Sequence, residues 1–145
     1  MTDKKDFETI DLWLDSTLDA VDVAEEAALK QAQAIGFNED DLHEIGMAVR
    51  ECLVNAVVHG NRYNARKKVH FIVQREGNRL ALTVEDEGEG FDMAALPDPL
   101  ADENLLRHSG RGLLLIQAYM DEFEIRPRQP KGTEVKMAKT LAKAS

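Results

Sequence analysis

The chain has 145 residues, 43% hydrophobic and 31% charged, a length and balance that suit one globular domain and exclude a disordered segment. Its 18 Lys and Arg against 27 Asp and Glu leave a net charge of −9, a field that repels a nucleic-acid backbone or an anionic membrane. Direct DNA binding and membrane attachment are therefore not expected, whereas a small anion such as a nucleotide stays open, because backbone amides and a metal ion act locally.

In chain order, the alternation of Ile10, Leu12 and Leu14 predicts a first strand over residues 7–14. Ser16 is placed to cap a helix, with Asp19 in the capping-box position. That helix carries Leu18, Val21, Ala28, Ala32 and Ile35 on one stripe and stops at Gly36. Asn38, followed by Glu39-Asp40-Asp41, suits the start of a second helix, because its side-chain oxygen can cap and the acids favour the positive end of the dipole. Its core stripe is Leu42, Ile45, Val49, Leu53 and Ala56, and it ends near Gly60. Two alternating strands follow, Val69-Phe71-Val73 and Leu80-Leu82-Val84, joined by Gly77-Asn78 as a hairpin turn. Residues 91–109, with Pro97 and Pro99, read as a long irregular stretch of the kind that forms lids. A third helix is expected from Gly112 to about Met120, then strands near 122–126 and 133–138. The order βααββαββ predicts an α/β (α+β) two-layer sandwich, with helices on one face of a mostly antiparallel, mixed sheet, and residues 1–145 as a single domain.

The single cysteine, Cys52, cannot form an intramolecular disulfide, and no apolar run reaches the length of a signal peptide or the ~20 residues of a membrane span. A soluble cytoplasmic protein is expected. His43, His59, His70 and His108 lack metal-ligand spacing, so no structural zinc is expected.

Four local patterns carry chemistry. Glu51 and Asn55 lie four apart on the second helix and share a face away from its core stripe. Such a pair is commonly a solvated surface, but Ala48, Val54 and Val58 flank it, and a carboxylate and an amide among apolar neighbours need partners. A carboxylate can serve as a general base, and an amide oxygen suits Mg²⁺. Next, Asp86 continues the buried parity of Leu80, Leu82 and Val84 and is followed by Gly88 and Gly90. This is either an acidic turn or an inward carboxylate in need of a donor, such as an adenine amino group. Gly110-Arg111-Gly112 then leads into a helix, either as an ordinary junction or as a phosphate site on free N–H groups. It is neither a Walker A loop nor a dinucleotide fingerprint. Finally, Thr133, after Gly132, shares the inward parity of Val135 and Met137; its hydroxyl is either satisfied locally or bonds a base.

Taken in this order, Glu51…Asn55, Asp86-x-Gly88-x-Gly90, Gly110-x-Gly112 and Gly132-Thr133 resemble the N, G1, G2 and Gly-Thr boxes of the GHKL (Bergerat-fold) ATPase superfamily. The similarity runs from about residue 8 to 140. It is closest to the anti-sigma-factor serine/threonine kinases, through Glu-x-x-x-Asn-Ala-x-x-His-Gly-Asn, Gly-Arg-Gly-Leu-x-Leu-Ile and Met120-Asp121-Glu122 before a strand. The resemblance implies a Bergerat fold binding ATP with Mg²⁺. It implies Glu51 as catalytic base and Asn55 as the Mg²⁺ ligand. Asp86 and Thr133 would sit at the adenine, Gly88 and Gly90 beside the nucleotide, and Gly110, Arg111 and Gly112 at the phosphates, with residues 91–109 as the ATP lid. The implied partners are a sigma factor held inactive, an anti-anti-sigma antagonist that is phosphorylated, and a second copy in a homodimer. Arg50, Arg62 and Arg107 lie near these boxes, with surface positions the simpler reading and phosphate or partner contact the other. Histidine-kinase domains need a phosphoaccepting helical hairpin that this chain has no room for, and gyrase- or chaperone-type members are much longer. A regulatory module that binds a nucleotide or partner without phosphoryl transfer is the competing class.

Overall fold

The computed structural model describes residues 7–88, 112–129 and 131–141. In chain order these form β1 (Phe7–Asp15), α1 (Leu18–Ile35), α2 (Glu39–Val54), a π-helical segment (Asn55–Gly60), β2 (Lys68–Glu76), β3 (Arg79–Glu85), α3 (Gly112–Tyr119), β4 (Glu122–Pro127) and β5 (Thr133–Thr140). The strands make one sheet in the order β1-β2-β3-β5-β4, antiparallel at each described pairing. Crossing β5 between β3 and β4 brings the start of β5 beside the end of β3, with Glu85 opposite Glu134.

Alternation decides which sheet face is apolar. Val69, Phe71 and Val73 of β2, Leu80, Leu82 and Val84 of β3, and Val135 and Met137 of β5 point into one core. The register sets Val73 opposite Leu82 and Val84 opposite Val135, so these side chains form rows across the face. Burying a side chain the size of Phe71 stabilises the fold by about 1.5–3 kcal/mol. The helices cover this face. Ala24, Ala28 and Ala32 give α1 a shallow buried stripe, and Ile45, Val49 and Leu53 do the same for α2 with larger groups. Ile116 of α3 completes the core. On the outer face, Trp13 stacks on His70 with ring centroids 4.0 Å apart, and the two His70 ring nitrogens lie 2.7 Å from Glu85 Oε1 and 2.8 Å from Asp11 Oδ1.

The local signals hold in most places. Asn38 Oδ1 accepts from the Asp41 N–H at 2.8 Å and starts α2. Gly36, at φ +109, closes α1 with its N–H on the Ala32 carbonyl. Gly77, at φ +64, makes the β2–β3 hairpin, with Glu76 paired to Arg79. Two expectations fail in α1. Thr17, not Ser16, is the N-cap residue, and its side chain makes no capping bond. Ser16 is instead buried and donates its hydroxyl to the Lys67 carbonyl at 2.5 Å, a better outcome for a polar group inside the fold. Leu18, at the first helical turn, is 52% exposed rather than part of the core stripe.

Candidate functional site

The second helix does not run as one α-helix to Gly60. It changes winding at Asn55, and the backbone N–H of Asn61 reaches back to the Ala56 carbonyl at 2.8 Å, one residue further than an α-helical bond. Beyond it, Arg62 and Tyr63 sit at φ +51 and +59, a left-handed pair that costs non-glycine residues about 1–2 kcal/mol each. Such local cost persists where the surroundings hold it in place, and such places are often functional.

Glu51 lies half-buried in the last turn of α2. Asn55 opens the π-helical segment, and its Nδ2 is the one buried side-chain nitrogen or oxygen without a hydrogen-bond partner among the described residues. A buried donor without an acceptor costs about 1–3 kcal/mol, a cost that a group accepting from this amide would recover. An incoming phosphate oxygen would accept from it. Rotating the amide by half a turn would present its oxygen to a hard cation.

Asp86 follows the end of β3 and is 7% exposed. Its Oδ1 accepts from the Gly88 N–H at 3.0 Å and from the Thr133 N–H at 3.2 Å, while its own N–H donates to the Thr133 carbonyl at 3.0 Å. Burial pushes the carboxyl above the ordinary aspartate range, and the two N–H bonds and the nearby Arg128 and Lys67 charges offset only part of that. Two glycines close on this residue, and a third closes on the first of them. A Cβ on Gly60 would lie 2.4 Å from Asp86 Oδ2, and one on Gly132 would lie 1.9 Å from the Asp86 carbonyl oxygen. A Cβ on Gly88 would lie 2.0 Å from the Gly60 carbonyl oxygen. The π-helical segment, the β3 exit and the β5 start therefore touch backbone to backbone, an approach that side chains would forbid.

The fold thus gathers Gly60, Asp86, Gly88 and Thr133 from the π-helical segment, the β3 exit and β5, with Asn55 at the start of that same segment and Glu51 one helical turn before it. Thr133 is half-buried at the start of β5, and Gly112 is the first residue of α3. Gly90, Gly110, Arg111, Arg107 and the expected lid at 91–109 lie outside the described residues. Arg50 does not turn to this site: it pairs with Asp22 at 2.8 Å and Glu25 at 2.6 Å on α1. Gly60 and Asn61 stand inside the His-Gly-Asn end of the second-helix motif, but their contacts with β3 are long-range and leave no periodic signal. The glycine directly after an apolar helix was the available hint, and it reads equally well as a simple helix stop.

Residues 14–139 match the histidine kinase-like ATPase domain family. The chain is 33% identical over 107 residues to the anti-sigma F factor of Bacillus subtilis (strain 168), covering 72% of this chain and 73% of that protein. It is 32% identical over 108 residues to the anti-sigma F factor of Bacillus thuringiensis (strain Al Hakam), covering 73% of this chain and 74% of that protein. Among solved structures it resembles the RsbU and RsbW domains of Rv1364c from Mycobacterium tuberculosis, with a TM-score of 0.65 and 20% identity over 92% of this chain and 32% of that one, a likeness of fold alone. Fold and family match define the class: a histidine kinase-like (GHKL) ATPase domain of the Bergerat type, and with it an ATP-binding protein. Within that class, the chain belongs to the anti-sigma-factor branch. No helix among the described residues is long and apolar enough to cross a membrane.

Proposed function

We propose that this chain is a cytoplasmic anti-sigma factor with serine/threonine kinase activity, which binds Mg-ATP, sequesters a sigma factor and phosphorylates an anti-anti-sigma antagonist. Residues 1–145 act as one ATPase domain that works as a homodimer, with residues 91–109 as the ATP lid. The observation that carries this reading is the unpartnered Asn55 amide, buried one turn from Glu51 in a protein of this family.

Asp86 and Thr133 hold the adenine, with the Asp86 carboxylate accepting from the exocyclic amino group. Gly88 and Gly90 let the backbone pass close to the nucleotide. Gly110, Arg111 and Gly112 meet the phosphates at the start of α3, where unpaired N–H groups favour negative charge. Asn55 would hold a Mg²⁺ ion through its amide oxygen, and the ion would supply positive charge to the phosphates. Glu51 accepts the proton of the antagonist's hydroxyl as that oxygen bonds to the γ-phosphorus. The bond from the γ-phosphorus to the β–γ bridging oxygen breaks, and ADP leaves with the electron pair. Most of the acceleration in such a step comes from positioning and electrostatics, with general-base help of about 10²–10⁴-fold.

The test is incubation of the protein with Mg-ATP and a candidate antagonist, followed by mass analysis of the antagonist. Phosphate on a serine or threonine, absent with Glu51→Ala, is the expected result. Mg-ATP binding without any transfer to antagonists that the protein binds would leave the non-catalytic regulatory module as the answer.

A further inference from the structure

We propose that Asn61 is the positioning residue for base recognition, a strut that sets the place of Asp86 and so tunes the preference for adenine over guanine. The inference rests on the reading of Asp86 as the adenine acceptor.

Asn61 is 1% exposed. Its carboxamide is engaged at both ends. Nδ2 donates to Ser16 Oγ at 2.9 Å and to the Lys68 carbonyl at 3.0 Å, and Oδ1 accepts from the Glu87 N–H at 2.7 Å. Ser16 in turn donates to the Lys67 carbonyl, and the Glu87 carboxylate accepts from the Lys68 N–H at 2.5 Å. One side chain thus joins the β1–α1 junction, the end of the π-helical segment, the start of β2 and the exit of β3.

Residues 86–88 send their N–H groups to three different places: the Thr133 carbonyl, Asn61 Oδ1 and Asp86 Oδ1. The first belongs to the neighbouring strand, and the third is local to the turn. Only the middle bond ties the turn to the helix layer that carries Glu51 and Asn55. It falls on the peptide directly after Asp86, where a small rotation would swing the carboxylate. Gly60 lies close against the same carboxylate, so even a small error matters: with the middle bond lost, the peptide after Asp86 can rotate slightly while the Thr133 and Gly88 bonds to the carboxylate and the Lys68 bond to Glu87 persist. Hydrogen-bond recognition depends on fixed geometry, and a misplaced acceptor loses the discrimination between an amino and a carbonyl group at the base before it loses binding of the phosphates.

Calorimetric titration with Mg-ATP and Mg-GTP, with thermal unfolding in parallel, tests this on the full chain. Wild type is expected to prefer ATP, and Asp86→Asn to lose most of that preference. Asn61→Ala is expected to lower the ATP-to-GTP affinity ratio about tenfold, the worth of one net hydrogen bond. Should the alanine variant not fold, Asn61→Ser carries the same arm, since its hydroxyl can satisfy some buried neighbours but stands one bond closer to the backbone than Oδ1. Ser16→Ala also removes a bond from the network but leaves the Asn61–Glu87 bond in place. It is expected to lower the melting temperature while keeping the ratio. A folded Asn61 variant with the wild-type ratio overturns the proposal, as does an equal loss of ratio in Ser16→Ala, which would mean general loosening. A wild type with no preference for ATP removes the reading of Asp86 itself, a failure that is distinct because it appears without any substitution at Asn61.

Discussion

Gly60 and Asp86 come from different layers of the fold, yet a methyl group on Gly60 would lie 2.4 Å from Oδ2 and 2.5 Å from Cγ of that carboxylate. In the wild-type chain the carboxylate has little room to step aside, because its other oxygen holds two N–H groups and Asn61 holds the peptide behind it. Gly60→Ala is therefore expected to cost about 1–3 kcal/mol of stability, as overpacking does, and to weaken ATP binding as well. Gly77→Ala is the control. Its Cβ would meet nothing within 4 Å, so only the φ of +64 opposes it. It should lose about 1–2 kcal/mol and leave nucleotide affinity unchanged. Chemical denaturation and calorimetry on the two variants check this, and equal effects on affinity would mean that Gly60 has no special relation to the site.

Asp86→Asn separates function from stability. The raised proton affinity of Asp86 means that the folded chain binds its proton more readily than the unfolded chain does. Stability at this residue is thus fullest below the ordinary aspartate range and falls as pH rises through the raised value, because the ionised form is the one burial disfavours. The asparagine variant cannot ionise, and its oxygen can still accept from Gly88 and Thr133. It is expected to flatten that part of the stability–pH curve, to be no less stable at pH 7, and to bind ATP more weakly. An unchanged affinity would place the base elsewhere.

The strands were legible because burial on one face writes itself as alternation: Val69-Phe71-Val73 and Leu80-Leu82-Val84 could point only one way, and Gly77-Asn78 could only be a turn. Asn38 was legible because a cap acts within three residues. Ser16 was misread for the complementary reason. Its sequence neighbours suit a cap, while the Lys67 carbonyl and Asn61 that claim its hydroxyl lie in another part of the chain. The π-helical segment was invisible, since six residues hold too little periodicity to separate one winding from another. At the site, the boxes picked out residues on separate elements, but the contact of Gly60 with Asp86 and the strut through Asn61 exist only once β3 is laid beside the end of the helix.

Cys52 supplies a probe of the fold around the site. It lies one residue after Glu51, is 2% exposed, and burial pushes its thiol up to about 12. The thiolate is the reactive form, so the native protein at pH 8 is expected to resist thiol reagents and to react only as it unfolds. Stoichiometric labelling of the native protein without loss of structure would show that the end of α2 opens locally.

Asn55→Ala tests the orphaned amide. Ordinary buried hydrogen bonds are missed when they are removed, but the Asn55 Nδ2 has no partner to lose. Alanine also favours helical backbone over asparagine by about half a kcal/mol. The variant is expected to melt at or above the wild-type temperature while its affinity for ATP in Mg²⁺ falls at least tenfold. A clear loss of stability would assign Asn55 a structural bond and weaken its claim to the metal.

Glu51→Ala divides binding from chemistry. Glu51 sits one turn before Asn55 and is half-buried, and the hydrogen bonds that hold Asp86 to Gly88 and Thr133 do not involve it, so its removal leaves the proposed base and phosphate contacts in place. A general base acts on the hydroxyl of the second substrate and only as the proton moves, so it adds to the transition state and little to nucleotide binding. Mg-ATP affinity should stay within about twofold of wild type, and transfer to the antagonist should fall about 10²–10⁴-fold. Glu51→Gln keeps the shape and cannot take a proton, so it should fall as far as alanine does. If the glutamine variant transferred phosphate at the wild-type rate, Glu51 would be a spacer in the wall of the site, and the proton would have to leave by another route.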